Sequence, residues 1–352
     1  MRQQQTLDGC IELPAVSGIQ AGRQYYTVMC PLHAVTKLFQ YSDSSLPPDV
    51  RAQRVLNKQR VPEMCNYILD NVETYVFSAL TASVDGDIKF VADKDKHNIG
   101  ILKIALDSRI ILNDGQHRHA AINAALKKNP AIRNEDISIV IYHDSGLMRS
   151  QQMFTDLNRH AVRPTKSLNI LFDNRDPFSI VIKNCIENTP VFKDSVEKEK
   201  STISNRSPAL FTLSGIYSAS QSLIKGFDLS LDEQQALITE FWTEVSEHIK
   251  PWQEAKNRAI KPEIFRQDYM CAHTIALKAL GVMGNELIRA HPNAWKEKLF
   301  FLDRLDWLKT NAEFQGLVLL NQRISSSRNN QEAFANYFKV KVDLPTQEGV
   351  PA

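Results

Sequence analysis

The sequence predicts an α/β domain followed by an all-helical domain. Three short apolar runs typical of buried strands lie at residues 99–106, 109–112 and 137–142. Stretches with helical periodicity alternate with them, which is the pattern of an α/β domain. From Pro177 onward the apolar residues recur only at helical spacing. We therefore expect an α/β domain over residues 1–165 and a helical domain over residues 166–352.

The elements of the first half follow in order from their local residues. Turn formers and apolar residues predict extended chain from Cys10 and a strand at residues 25–29, and helices are expected to begin near Pro31 and Pro47. Residues 75–84 read as a strand. The next elements are a hairpin turn at 85–87, its return strand at 88–91 and a charged loop at 92–98.

The second half is predicted from helical spacing and from Pro and Gly punctuation. A helix at 145–160 and a basic loop at 163–167 lead to a short helix at 168–172. Further helices are predicted at 177–188, 208–225, 231–249, 264–290, 293–309 and 332–338.

Composition and charge restrict the function only broadly. The 352 residues are 43% hydrophobic, as in an ordinary folded protein, and the net charge of +2 means that any nucleic-acid surface must come from local clusters of Lys and Arg. The 5 Cys residues include no CxxC pair, which suits a reducing cytoplasm, and the pair Cys271 and His273 lies in an apolar run where packing is expected rather than metal binding. No run approaches the length of a membrane span. We expect a cytoplasmic protein without a metal.

The stretch from Arg109 to Leu126 combines a strand, a turn and a helix start. Ile110 to Leu112 is expected to form a strand buried on both faces, and Asp114 to act as the helix N-cap. Free amides around Gln116 to Arg118, with the fixed charge of Arg118, would then favour an anion. The alternative is structural, with Asp114 capping a helix and Gly115 satisfying a turn.

The five residues Asp114, Gly115, Gln116, His117 and Arg118 resemble the DGQHR motif of the DndB family of DNA sulfur-modification proteins. Further similar stretches lie at 18–26, 52–60, 75–80 and 154–159. The resemblance implies a regulator of phosphorothioate DNA systems, namely a repressor that binds promoter DNA of its own operon. It also implies other sulfur-modification proteins as partners.

The motif also resembles the phosphate-binding turn of the ParB and sulfiredoxin fold, which implies a nucleoside triphosphate with Mg as ligand. Gln116 stands where sulfiredoxin has its cysteine, so phosphate binding is expected without thiol chemistry. The alternative function is therefore a nucleoside-triphosphatase that uses Asp114 and Arg118 at the phosphates. In it His117 would carry a proton, or would only pack through a hydrogen bond.

Residues suited to DNA contact occur in two groups of basic and amide side chains. The groups are Arg54, Asn57 and Arg60, and Asn158, Arg159, Arg163 and Lys166. The first group would equally suit an accessory subunit that holds other proteins, and the second would equally suit a solvated loop. The polar segment 193–206 would either line the DNA backbone or be a mobile loop. A homodimer that reads two half-sites is expected to supply specificity.

Overall fold

The computed structural model divides the chain into two units, Met1–Val162 and Arg163–Ala352. It describes residues 9–39, 59–143, 152–153, 155–157, 164–320 and 323–346. The first unit is built on a seven-stranded sheet and the second is mainly helical. Each unit has its own hydrophobic core. The predicted order, α/β and then helical, is thus the order of the structure.

The first unit contains strands and helices in an α/β order. Its elements are β1 (Cys10–Gln20), β2 (Arg23–Pro31), α1 (Leu32–Leu38), α2 (Arg60–Asp70), β3 (Leu80–Asp85), β4 (Ile88–Ala92), β5 (Ile99–Ala105), β6 (Arg109–Asp114), α3 (Gln116–Lys128) and β7 (Asp136–His143). A 3-10 helix, Pro130–Asn134, precedes β7. The strands predicted at 99–106, 109–112 and 137–142 are confirmed. Residues 152–153 and 155–157 are helical, as predicted, and the rest of the 145–160 helix lies outside the described residues.

The sheet closes on itself through one long, bent pair of strands. The strand order is β4-β5-β1-β2-β7-β3-β6. Because β4 pairs with β5 and β3 pairs with β6, the chain from 80 to 92 runs antiparallel to the chain from 99 to 114. Outside this pair, β5 also pairs with β1, and β3 also pairs with β7. Strand β2 pairs with both β1 and β7. The result is a closed ring of strands.

The predicted hairpin at Asp85-Gly86-Asp87 is therefore wrong. Gly86, with φ +143°, marks a bend at which β3 continues into β4, and β4 does not pair with β3. The loop that reverses the chain is the charged segment 93–98, between β4 and β5. A turn-forming dipeptide between two apolar runs fits a bend as well as a hairpin, so local sequence could not separate the two.

Two strand predictions in the first unit are also corrected. The strand predicted at 75–84 begins only at Leu80, because Tyr75 and Phe77 pack against each other and Phe77 packs against Tyr67 of α2. Strand β6 is not fully buried on both faces. Leu112 is buried on one face, whereas Ile111, which points to the opposite face, is only half-buried.

The second unit is a set of helices with short strand pairs. Its helices are α4 (Lys166–Phe172), α5 (Pro177–Asn188), α6 (Leu213–Leu223), α7 (Leu231–His248), α8 (Lys250–Lys256), α9 (Pro262–Asp268), α10 (Thr274–Ala290), α11 (Trp295–Lys298) and α12 (Arg328–Lys341). Its strand pairs are β8 (Val196–Glu197) with β9 (Phe211–Thr212), and β10 (Leu319–Leu320) with β11 (Arg323–Ile324). The prediction for Pro177–Asn188 is confirmed to the residue.

Tertiary hydrogen bonds interrupt the helix predicted at 264–290. The Trp252 indole donates to the Cys271 carbonyl at 3.0 Å, and the Met270 amide donates to the Trp307 carbonyl at 2.7 Å. These bonds replace helical ones, so α9 ends at Asp268 and a 3-10 turn follows before α10. The partners lie far away in sequence, which is why periodicity did not show the break.

Two further helix predictions in the second unit are corrected. The helix predicted at 208–225 starts only at Leu213, because the preceding Phe211 and Thr212 pair with β8 and the Thr212 hydroxyl caps the helix at Gly215. The helix predicted at 293–309 is only the short α11, followed by a 3-10 helix, Leu299–Arg304.

Candidate functional site

The motif turn of the first unit joins the end of β6 to the start of α3. Asp114 is the last residue of β6, and Gly115, with φ +102° and ψ 16°, occupies the N-cap position of α3. No side chain caps this helix. The expectation that Asp114 is the N-cap is therefore wrong, because its carboxylate is turned to Arg118 instead.

The guanidinium of Arg118 is held by oxygen atoms of the first unit. Its Nη1 donates to the carbonyl oxygens of Ser78 at 2.6 Å and Ala79 at 2.8 Å, and also to the Ser78 hydroxyl. Its Nη2 donates to the Asp114 carboxylate at 2.5 Å. Only 14% of the Arg118 side chain is exposed. Arg118 thus ties the segment before β3 to the turn between β6 and α3.

The other motif residues take part in the same local structure. The Gln116 amide donates to the carbonyl oxygens of Leu112 at 3.0 Å and Asn113 at 3.1 Å. His117 is half-buried in the first turn of α3. At Gly115 an added Cβ would lie 2.4 Å from Leu80 Cδ2, so only glycine fits there. These contacts agree with the turn role of Gly115 in the structural alternative, and they add structural partners for Gln116 and Arg118 that the alternative did not include.

Most residues predicted to contact DNA lie outside the described residues, where they remain predictions. They are Arg54, Asn57, Asn158, Arg159 and Arg163. Arg60 is exposed at the first position of α2. Lys166 is the first residue of α4 and not part of a loop. Its ammonium donates to the Ser218 hydroxyl at 2.9 Å and lies over the Tyr217 ring.

A polar segment of the second unit, residues 198–206, is anchored rather than loose. Arg266 donates to the carbonyl oxygens of Ser204, Asn205, Ser207 and Ala209 at 3.1, 2.8, 3.1 and 2.7 Å. At the other end of the segment the Ser167 hydroxyl donates to the Lys200 carbonyl at 2.9 Å. Such bonds hold both ends of these residues, and we call residues 198–206 the anchored segment.

The anchored segment carries exposed cations and hydroxyls. Lys200, Ser201, Thr202 and Arg206 are exposed, and neither cation has a salt bridge among the described residues. Lys198 differs, because its ammonium pairs with Glu187 at 3.0 Å. These are the residue types that contact nucleic-acid phosphates.

Two more lysines extend this surface along neighbouring helices. Burial and the nearby charge of Lys278 lower the pKa of Lys166, so these two ammonium groups are close enough to repel. Lys166 adjoins Ser167, whose hydroxyl bonds to Lys200. We call Lys166, Lys200, Arg206 and Lys278 the basic face. Sequence reasoning found Lys166 and the polar segment but missed Lys278, because Lys278 lies in a mostly apolar helix.

The residues that the structure describes contain no candidate site for cysteine or metal chemistry. No group of three His, Cys, Asp or Glu side chains that could hold a metal occurs there. Burial raises the pKa of the Cys271 thiol well above its ordinary value, and its neighbour His273 is held by the Arg266 carbonyl. In the same described part of the chain, none of the helices has the length and apolar character needed to span a bilayer.

Comparison with known proteins identifies the family over nearly the whole chain. The model of the DndB family, described as DNA-sulfur modification-associated, matches residues 13–345. No curated protein and no solved structure matches the chain. The match covers both units and includes the motif turn, Arg266 and the basic face. The chain therefore belongs to the DndB family of DNA-sulfur modification-associated proteins.

Proposed function

We propose that this protein is a DNA-binding repressor that acts on promoter DNA of its own DNA sulfur-modification operon. Membership of the DndB family supports the link to DNA sulfur modification. The observation that carries the DNA-binding part is the anchored segment with its basic face. A surface whose backbone is already fixed loses little conformational entropy when it meets a phosphate backbone.

The contacts of Arg118 favour this function over a nucleoside-triphosphatase. A phosphate-binding arginine must present donors to its ligand, whereas Arg118 donates to Ser78, Ala79 and Asp114 of its own unit. The motif then has a structural role in the first unit, and the basic face of the second unit supplies phosphate contacts. A homodimer, with two such faces on two half-sites, would provide the specificity that a net charge of +2 does not.

Replacing Lys200 and Arg206 together by glutamine is expected to weaken binding to the operon promoter roughly tenfold at physiological salt. The plot of log affinity against log salt should lose roughly two units of slope, because about one unit is lost with each phosphate contact. Fluorescence anisotropy with a labelled promoter duplex, at several salt concentrations, measures both quantities. Both side chains are exposed, so the thermal midpoint should not change.

Lys225→Gln is the matched control, because this exposed lysine lies beyond the opposite end of α6. It should bind promoter DNA like the wild type. If the double variant keeps the wild-type affinity and salt slope, the anchored segment is not part of the DNA interface. If the wild-type protein binds its promoter no more tightly than an unrelated duplex, the proposed repressor function is wrong.

A further inference from the structure

A cavity of about 520 Å³ lies in the second unit beside the anchored segment. Two of its lining residues, Phe211 and Leu277, are buried apolar side chains, which we call the floor of the cavity. The polar lining residues used below are Thr202, Asn205, Thr212, Arg266, Thr274 and Lys309. A volume of this size accommodates a small organic molecule.

Two cations line this cavity, and neither Arg266 nor Lys309 forms a salt bridge among the described residues. The charges of Glu263 and Asp268 act on Arg266 and Lys309 respectively, but from beyond salt-bridge distance. Burial lowers the pKa of both groups, so each is partly removed from water. Desolvated charge of one sign costs free energy unless an opposite charge approaches it. The cavity thus favours an anion.

The hydrogen-bonding groups at the cavity are fixed in advance. Arg266 is held by four carbonyl oxygens of residues 204–209, so its charge is rigidly placed. The Lys309 ammonium donates to the carbonyl oxygens of Arg266 at 2.9 Å and Gln267 at 2.6 Å, which leaves one of its three protons for a ligand. Hydroxyls of Thr202 and Thr274 line the same space.

The start of α10 adds to the positive potential. This helix has 17 residues, begins at Thr274 and has no side-chain cap. Its positive end therefore lies at the cavity wall. Burial and the charge of Lys309 lower the pKa of His273 to about 4, so this imidazole is neutral at pH 7. It donates to the Arg266 carbonyl at 3.1 Å and adds no further charge.

We propose that this cavity binds a small organic phosphate, with its phosphate at the Lys309 ammonium and the threonine hydroxyls, in the positive field of the Arg266 guanidinium, and its organic part on the floor. A dianionic phosphate matches two adjacent cations and several donors better than a single carboxylate does. The recessed apolar floor favours a small molecule over the backbone of a duplex. The site is separate from the motif turn, and its existence does not depend on DNA binding.

Calorimetry on the full chain tests this site with adenosine 5′-monophosphate as probe, and with inorganic phosphate and adenosine for comparison. The wild type should bind the monophosphate with a Kd below about 1 mM, inorganic phosphate more weakly, and adenosine not measurably. Thr202→Glu places a negative charge at an exposed position of the cavity and should weaken monophosphate binding at least tenfold. Lys309→Gln should weaken it about tenfold.

Thr202→Gln is the matched control, since it has nearly the same size as Thr202→Glu without the charge, and it should bind within about twofold of the wild type. Equal binding by Thr202→Glu and the wild type would overturn the proposal, because the probe would then bind elsewhere. Lack of monophosphate binding to a folded wild type would also overturn it. If Thr202→Glu weakens duplex DNA binding and leaves monophosphate binding unchanged, Thr202 acts only through the anchored segment and the small-molecule site is rejected.

Discussion

Replacing Arg118 by alanine is expected to destabilise the first unit by about 3 kcal/mol. The change removes the guanidinium that donates to the Ser78 and Ala79 carbonyl oxygens, and it leaves the Asp114 carboxylate without its ion pair. Arg118 is only 14% exposed, so water cannot fully replace these bonds, whereas the 40% exposure of Asp114 reduces the cost on its side. Urea denaturation followed by circular dichroism measures the loss.

Two further variants separate the contacts of Arg118 from a general effect of losing charge. Arg133→Ala removes an exposed arginine of the same unit and should change stability by less than about 0.5 kcal/mol. Arg118→Lys keeps the charge but not the planar fork, and it should recover only part of the loss. If Arg118→Ala instead unfolds like the wild type and loses triphosphate binding, Arg118 is a phosphate ligand and the structural role is wrong.

Strongly periodic segments of the sequence predicted the fold well, and contacts between distant residues explain the errors. Helix α5 and strands β5, β6 and β7 follow from local patterns, because burial against a core imposes their periodicity. The break between α9 and α10 depends on Trp252 and Trp307, which local patterns cannot include. Closure of the sheet at Gly86 depends on pairing with β1 and β7 in the same way.

The candidate site was only partly visible in the sequence. The motif showed a strand, a turn and a helix start, but the partners of Arg118 are Ser78 and Ala79, about forty residues earlier. Their carbonyl oxygens carry no sequence signal, because every residue has one. The likeness of the first unit to the ParB and sulfiredoxin fold stays a prediction.

The cavity of the second unit was not predicted at all, because its residues are scattered over more than a hundred positions. Thr202, Arg266 and Lys309 each look like ordinary surface residues in a charged chain. Only the fold brings them together around one cavity. Sequence composition could not reveal this, since the numbers of Lys and Arg (42) and of Asp and Glu (40) almost balance over the whole chain.

Replacing Gly115 by alanine is expected to cost roughly 3 to 4 kcal/mol, from backbone strain and from a steric clash. Its φ of +102° is unfavourable for any L side chain, and the new methyl group would lie 2.4 Å from Leu80 Cδ2. Leu80 is fully buried at the start of β3, so it cannot move aside without disturbing the core. The same urea denaturation measures the loss.

Gly22→Ala is the control that divides this cost into its two parts. Gly22 also has a positive φ, +74°, but a Cβ there would meet nothing within 4 Å. It should therefore cost only the strain, roughly 1 to 2 kcal/mol. The difference of about 2 kcal/mol between the two variants is the clash with Leu80. Equal losses for Gly115→Ala and Gly22→Ala would show that the turn can shift away from Leu80, and the tight junction between β6, α3 and β3 inferred from the motif would then be wrong.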